Sequence, residues 1–213
     1  MIITDIIAVD KKRDKVYIDN EFAFVLYKGE LHLYNIAVGN SLCEDTYKTI
    51  VNEVLLKRAK LRAMNLLTKR DYTEVQLRTK LVEGYYKDAQ IEETIKYLKS
   101  YGYIDDVRYA RNYFAVHIQS KPKNMIAQKL LQKGISSSII DELIETVYEE
   151  ERALTHVPDE MELGKNLLKK KKYDIVGSVK EKQKAYGYLI RKGISSDNAM
   201  KVLKEYQKDN ATT

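Results

Sequence analysis

Two hydrophobic periods divide the chain. Up to about residue 42, apolar positions come in short β-branched or alternating runs. Ile2, Ile3, Ile6, Ile7 and Val9 form the first, and Val16-Tyr17-Ile18-Asp19 follows a Lys-Lys-Arg-Asp turn. Phe22 to Leu26 is the next, and Leu31-His32-Leu33-Tyr34 alternates beyond a Lys28-Gly29-Glu30 turn. These are strand signals separated by hairpin turns. They predict a small antiparallel β-structure over residues 1–42, which is marginal in isolation and has to dock on helices or a partner.

From Asp45 onward the period becomes helical. Ile50, Val54, Leu55, Leu61, Leu66 and Leu67 predict one long helix over about 45–69. Thr73-Glu74-Val75-Gln76 is a capping box that opens a second helix, and Asp88 to Tyr101 is a third. Further helices follow over 105–120, 123–133 and 137–150, then, after Pro158, over 159–172, 177–192 and 196–207. The last residues, 209–213, should fray. The fold class predicted is mainly α, with three-helix units at 43–103, 104–152 and 153–213 behind a β-rich segment at 1–42.

The punctuation between helices repeats. Lys133-Gly134-Ile135-Ser136-Ser137 returns as Lys192-Gly193-Ile194-Ser195-Ser196, each time after a basic helix end and before a new apolar-periodic helix. Leu77 to Gly84 is a weaker first copy. Tandem units of this kind stack side by side, which predicts an elongated, curved array. Gly102-Tyr103-Ile104-Asp105-Asp106 marks another corner. Gly102 suits the left-handed helix stop, Tyr103 and Ile104 should tuck onto the core, and Asp105 should cap the next helix with Asp106 complementing its dipole.

Charge changes the picture more than composition does. The formal charge is +6 over 213 residues, but its signs come in blocks. Residues 121–133 hold Lys121, Lys123, Lys129 and Lys133 and no acid. Residues 163–192 hold ten basic residues against Asp174 and Glu181, and 141–162 hold nine acids against Arg152. Crowded like charges repel, and an anionic partner relieves that; nucleic-acid phosphate is the obvious one. The acidic block suits a basic protein surface or a neighbouring module. Seventeen tyrosines and no tryptophan are present. Tyr109 and Tyr113, four apart, share a helical face, although such residues more often fill core and rim than stack on bases.

Enzyme chemistry finds no foothold. His32, His117 and His156 are isolated from one another and from Cys43, and no zinc, metalloprotease or phosphate-loop motif occurs. No catalytic, cofactor or metal residues are assigned. A single cysteine fits a reducing compartment, and no apolar run approaches the length of a membrane span. Met1 to Asp10 is too short and too soon charged for a signal peptide, so a cytoplasmic location is expected.

The Gly102-Tyr103-Ile104-Asp105-Asp106-x-x-Tyr109-Ala110 string resembles the RecX family of recombinase regulators. So do Val16 to Asp19 with Glu21 to Phe24, and the stretches 59–67, 73–81 and 126–135. In place of the Lys-Gly or Arg-Gly common before the second unit's middle helix stands Lys121-Pro122-Lys123-Asn124, and proline suits a helix start. The resemblance implies a monomeric regulator that binds a RecA-type recombinase filament on single-stranded DNA, touching the DNA directly or through the filament. It further implies that the protein inhibits filament assembly, strand exchange and co-protease activity, with no cofactor and no membrane partner. Charge nominates Lys121, Lys123, Lys129, Lys133, Lys169, Lys170, Lys171, Lys172, Arg191 and Lys192 as contacts. The alternative is a helix–turn–helix DNA-binding regulator, but its recognition helix, Ser137 to Glu150, would be acidic where base readout calls for Arg, Asn or Gln.

Overall fold

Burial follows the two periods. In a computed structural model, which describes residues 1–154, 156–173, 175 and 178–211, the chain forms two compact units, Met1–Asp105 and Asp106–Thr213. In the first, β1 (Ile3–Ala8), β2 (Arg13–Ile18) and β3 (Glu21–Tyr27) make an antiparallel sheet in that order. Asp19 and Asn20, at φ 49° and 69°, form the two-residue turn between β2 and β3; two left-handed residues match the twist of a tight hairpin. Ile3, Val16, Ile18, Phe24 and Leu26 pack in one core with Ile36, Leu42 and Ile50. Residues 39–42 cover part of β1's outer edge. Ile3 N donates to Asn40 O at 2.9 Å and Gly39 N to Ile3 O at 2.8 Å, which removes exposed strand groups that would invite association.

Leu31 to Tyr34, predicted as a strand, is helical: α1 spans Lys28–Leu33. The Glu30 carboxylate accepts from Tyr27 N at 2.8 Å and pairs with Arg58, fixing the first turn. Only Leu31 is buried there, while Leu33 is 73% exposed. A four-residue alternation with one inward residue cannot tell a strand from a single helical turn.

The long first helix is continuous but not uniform. α2 (Glu44–Thr49) passes through a π-helical stretch, Ile50–Leu55, into α3 (Leu56–Leu67). Ile50 and Leu55 both enter the sheet's core. Positions five apart diverge by about 140° on an α-helix at 100° per residue, and the wider π turn brings both to the same side.

α4 (Glu74–Val82) and α5 (Asp88–Ser100) complete a three-helix unit with α3 around Ala59, Ala63, Leu77, Leu81, Ile95 and Leu98. In the second unit, α6 (Asp106–His117), α7 (Lys123–Gln132) and α8 (Ser137–Leu154) enclose Phe114, Ile126, Leu130 and Leu143. α9 (Glu160–Lys171), α10 (Val179–Arg191) and α11 (Ser196–Ala211) enclose Leu168, Leu189 and Val202. The predicted start of α10 at Gly177 lies outside the described residues, as do Thr212 and Thr213 of the tail; the helix begins at Val179 with Ser178 Oγ accepting from Glu181 N at 3.3 Å.

The repeat is exact in geometry and displaced by one residue in sequence. Gly134 and Gly193 stop α7 and α10 at φ 87° and 83°, and Ile135 N and Ile194 N reach back to Leu130 O at 3.1 Å and Leu189 O at 3.2 Å. In the first copy Tyr86 N reaches back to Leu81 O at 3.3 Å, so the left-handed residue is Tyr85, at φ 66°, and not Gly84. That conformation costs a residue with a Cβ about 1–2 kcal/mol. Gly84 is kept for packing instead: a Cβ there would lie 2.9 Å from the Tyr86 ring and 3.1 Å from Arg62 Nε. At the Gly102 corner (φ 66°) Ile104 is buried, but Tyr103 is 48% exposed and stacks on Tyr101 at 5.9 Å.

The capping box of α4 is formed in both directions. Thr73 Oγ1 accepts from Gln76 N at 3.2 Å and Thr73 N donates to Gln76 Oε1 at 3.3 Å. Because Thr73 is fully buried, Thr73→Ala is expected to destabilise the protein by about 1–2 kcal/mol, read as a lower melting temperature, with Thr73→Ser restoring most of it.

Candidate functional site

α6 carries Tyr109, Tyr113 and His117 at four-residue intervals, so the three rings form one ladder along the helix. Tyr109 and Tyr113 lie parallel, with centroids 6.4 Å apart, and the His117 ring meets Tyr113 edge-on at 4.3 Å. Two lysines arrive from elsewhere. Lys133, at the end of α7, places Nζ 5.3 Å from the Tyr113 centroid and 5.7 Å from that of Tyr109. Lys121, in the α6–α7 connection, places Nζ 5.9 Å from Tyr113. Pro122 sets this connection by standing at the N-cap of α7 with φ −58° and ψ 143°. The face combines ring surface with cations, the chemistry that holds a single strand by stacking and phosphate attraction.

The remaining predicted contacts sort by module. Lys123 and Lys129 are exposed on α7; Lys129 Nζ donates to Gln132 Oε1 at 2.9 Å. Lys169, Lys170, Lys171 and Lys172 are exposed at the end of α9, where helix carbonyls favour positive charge, and among the described residues none pairs with a carboxylate. Tyr173, next in the chain, packs on Tyr188 at 5.7 Å, and Lys192 Nζ lies 5.7 Å from the Tyr188 centroid. The fold thus gathers Lys121 with Lys133 on one tyrosine ladder, and the end of the Lys169–Lys172 run with Lys192 on another tyrosine pair. Arg191 is exposed beside Lys192. Two of the block's other four basic residues are neutralised locally: Lys165 binds Glu205 at 2.7 Å and Lys184 binds Glu181 at 2.7 Å.

The acidic block is not one patch. Glu160 turns inward, where its Oε2 accepts from Ser195 N at 3.0 Å, Ser195 Oγ at 2.6 Å and Asn198 Nδ2 at 2.8 Å. Burial opposes its ionisation. The hydrogen bonds from Ser195 and Asn198, together with the Lys123 charge, outweigh that and hold its pKa below the ordinary value. The carboxylate therefore clamps the Lys-Gly-Ile-Ser-Ser turn of the third module. Glu162 binds His156 at 2.7 Å. Asp141, Glu142 and Glu145 stay on α8, with Asp141, Glu142 and Glu145 unburied.

Sequence reasoning did not identify His117 as part of the site. Its spacing from Tyr113, four residues on the same helix, is the signal that could have found it. Among the described residues no group of three His, Cys, Asp or Glu could hold a metal ion, and no helix is long and apolar enough to cross a membrane.

Comparison with known proteins agrees with the modular reading. Residues 59–98 match the model of the first three-helix domain of RecX and residues 105–144 that of the second. The proteins named regulatory protein RecX in Clostridium acetobutylicum and Caldanaerobacter subterraneus subsp. tengcongensis are 33% and 31% identical to this chain. The alignments cover 98% and 95% of it, and 97% and 98% of those proteins. A crystal structure of regulatory protein RecX superposes with a TM-score of 0.59 at 28% identity over 98% of both chains. The crystal structure of RecX from Lactobacillus salivarius, 21% identical, shares the fold with a TM-score of 0.52 over 71% of this chain and 96% of its own.

The ladder is electrostatically self-reporting. Burial, then the charges of Lys121 and Lys133, hold the His117 pKa below 6.5. Lys133→Gln should raise it toward 6.5, measured by NMR titration of the imidazole. Because the unfolded chain binds this proton more readily, His117 lowers stability below its folded pKa, and the loss is recovered as pH rises to about 6.5.

Proposed function

The chain belongs to the RecX family, and on that premise we propose that it regulates a RecA-type recombinase by binding its filament on single-stranded DNA and restraining assembly, strand exchange and co-protease activity. The observation that carries this reading is the α6–α7 face, where Tyr109, Tyr113 and His117 are flanked by Lys121 and Lys133. A face of this kind engages a strand and an acidic protein surface with the same groups. Lys169 to Lys172, with Arg191 and Lys192, supply a second basic contact. The acidic residues of α8 suit basic loops of the filament.

Regulation of this kind is mass action. A protein with greater affinity for one filament state shifts the equilibrium toward it by no more than that difference in affinity. Phosphate attraction raises the association rate and fades with salt. Insertion of α8 into a major groove as a recognition helix finds no support in its Asp141, Glu142 and Glu145.

The test is the single-strand-dependent ATPase of the cognate recombinase with this protein added below stoichiometry. Strong inhibition is expected without the DNA being sequestered. Lys121→Glu with Lys133→Glu should weaken it by about tenfold, in line with one or two lost charge-assisted contacts. Inhibition that appears only when the protein coats all the DNA would contradict the proposal.

A further inference from the structure

The first compact unit holds a cationic cleft of about 350 Å³ that lies apart from the sequence blocks of charge. β2 and β3 contribute Arg13 and Tyr27, α3 contributes Arg58 and Arg62, the turn after it Lys69, and the turn after α4 contributes Tyr85. Its volume falls at the low end of small-ligand clefts. Two of the four cations are already neutralised: Arg13 by Asp10 at 2.7 Å and Arg58 by Glu30. The other two are not. Arg62 donates through Nε to Lys80 O at 3.3 Å, and among the described residues its two terminal nitrogens have no partner. Lys69 is exposed and, among the described residues, meets no carboxylate.

The walls are aromatic. The Arg58 guanidinium lies 4.6 Å from the Tyr27 centroid and Lys15 Nζ lies 4.6 Å from that of Tyr85. Tyr85 holds its ring there from φ 66°, at the position where the other two modules have Gly134 and Gly193. Strain kept where glycine would relieve it points to a use for the side chain. Gly84 lets the guanidinium in, because a Cβ there would stand 3.1 Å from Arg62 Nε.

We propose that this cleft binds the phosphate monoester of a nucleotide, with phosphate on Arg62 and Lys69 and the base against the tyrosines. Arg62 and Lys69, with Lys15 at the Tyr85 wall, match a monoester, which carries up to two negative charges near neutral pH, better than a diester with one. Arginine supplies paired donors and lysine a point charge. The same chemistry is presented by a free mononucleotide and by the 5′-phosphate end of a strand. The site does not depend on the filament reading, which rests on residues of the other unit.

The test titrates the full chain carrying Lys121→Glu and Lys133→Glu, which disable the α6–α7 face and leave the cleft intact, with thymidine monophosphate, with a 5′-phosphorylated short oligothymidylate and with its 5′-hydroxyl counterpart, by calorimetry. The phosphorylated probes should bind, and the 5′-hydroxyl strand should bind about tenfold more weakly or not at all. Binding of the mononucleotide equal to that of the phosphorylated strand identifies a free-nucleotide site, and tighter binding of the strand identifies an end-binding site; both support the proposal. Arg62→Gln and Lys69→Gln should each weaken binding by about tenfold, whereas Lys96→Gln, on the exposed side of α5, should leave it unchanged. Lys69 is a surface residue, so that variant keeps its fold. Tyr85→Gly should raise the melting temperature and weaken nucleotide binding together. No binding by either phosphorylated probe, equal binding of the 5′-hydroxyl strand, or unchanged affinity in Lys69→Gln would overturn the assignment.

Discussion

A left-handed residue that stops a helix and sends the next residue into the core sets the geometry of each module. The stop works because it satisfies two constraints at once. The reversed backbone lets an N–H return to a carbonyl left open at the helix end, and it aims the following side chain back across the last turn. Ile135 joins Leu130 in one core and Ile194 joins Leu189 in another; in the first module Tyr86 plays that part beside Leu81. Shift the stop by one residue and the inward side chain becomes solvent-facing, so the helix that follows has no core to start from.

That constraint also places the chemistry. The residue before each glycine sits at the helix end, where carbonyl groups favour a cation, and it is lysine in both copies. Lys133 and Lys192 are thereby delivered onto tyrosine rings, Tyr113 in one module and Tyr188 in the next. A structural device that repeats for reasons of packing thus repeats a basic-aromatic motif as a by-product. Glu160 ties the third copy of the turn down through Ser195 and Asn198, and the Met125 backbone approaches so closely that a Cβ on Gly193 would lie 3.3 Å from its nitrogen. The Gly193 turn is therefore held from both sides within the second unit.

Much of this was legible in order along the chain. The helices of the modules, the Thr73 capping box and the Lys-Gly-Ile-Ser-Ser stops are local, and local signals survive folding. Three features were not local. Leu31 to Leu33 reads as strand because the pairing of Glu30 with Arg58, twenty-eight residues away, is invisible in sequence. The π stretch at Ile50–Leu55 answers to the sheet it packs on, and the first module's stop at Tyr85 runs against the preference for glycine. Of the candidate site, the lysines could be named from charge, but not their sorting. Lys165 and Lys184 belong to the same block as Lys169 to Lys172 and are neutralised by neighbours. The cleft at Arg62 and Lys69 had a signal, basic residues at 58, 62 and 69 within the stretch predicted as one helix, that the larger lysine blocks overshadowed.

The claim on which the functional reading stands is that the α6–α7 face meets the filament. Hydrogen exchange of the full chain, free and bound to a recombinase filament on single-stranded DNA, tests it most directly. Slowed exchange at the end of α6 and around the Lys133–Ile135 turn is the result predicted. Slowing confined to Met1–Asp105, with α6 and α7 unchanged, would contradict it.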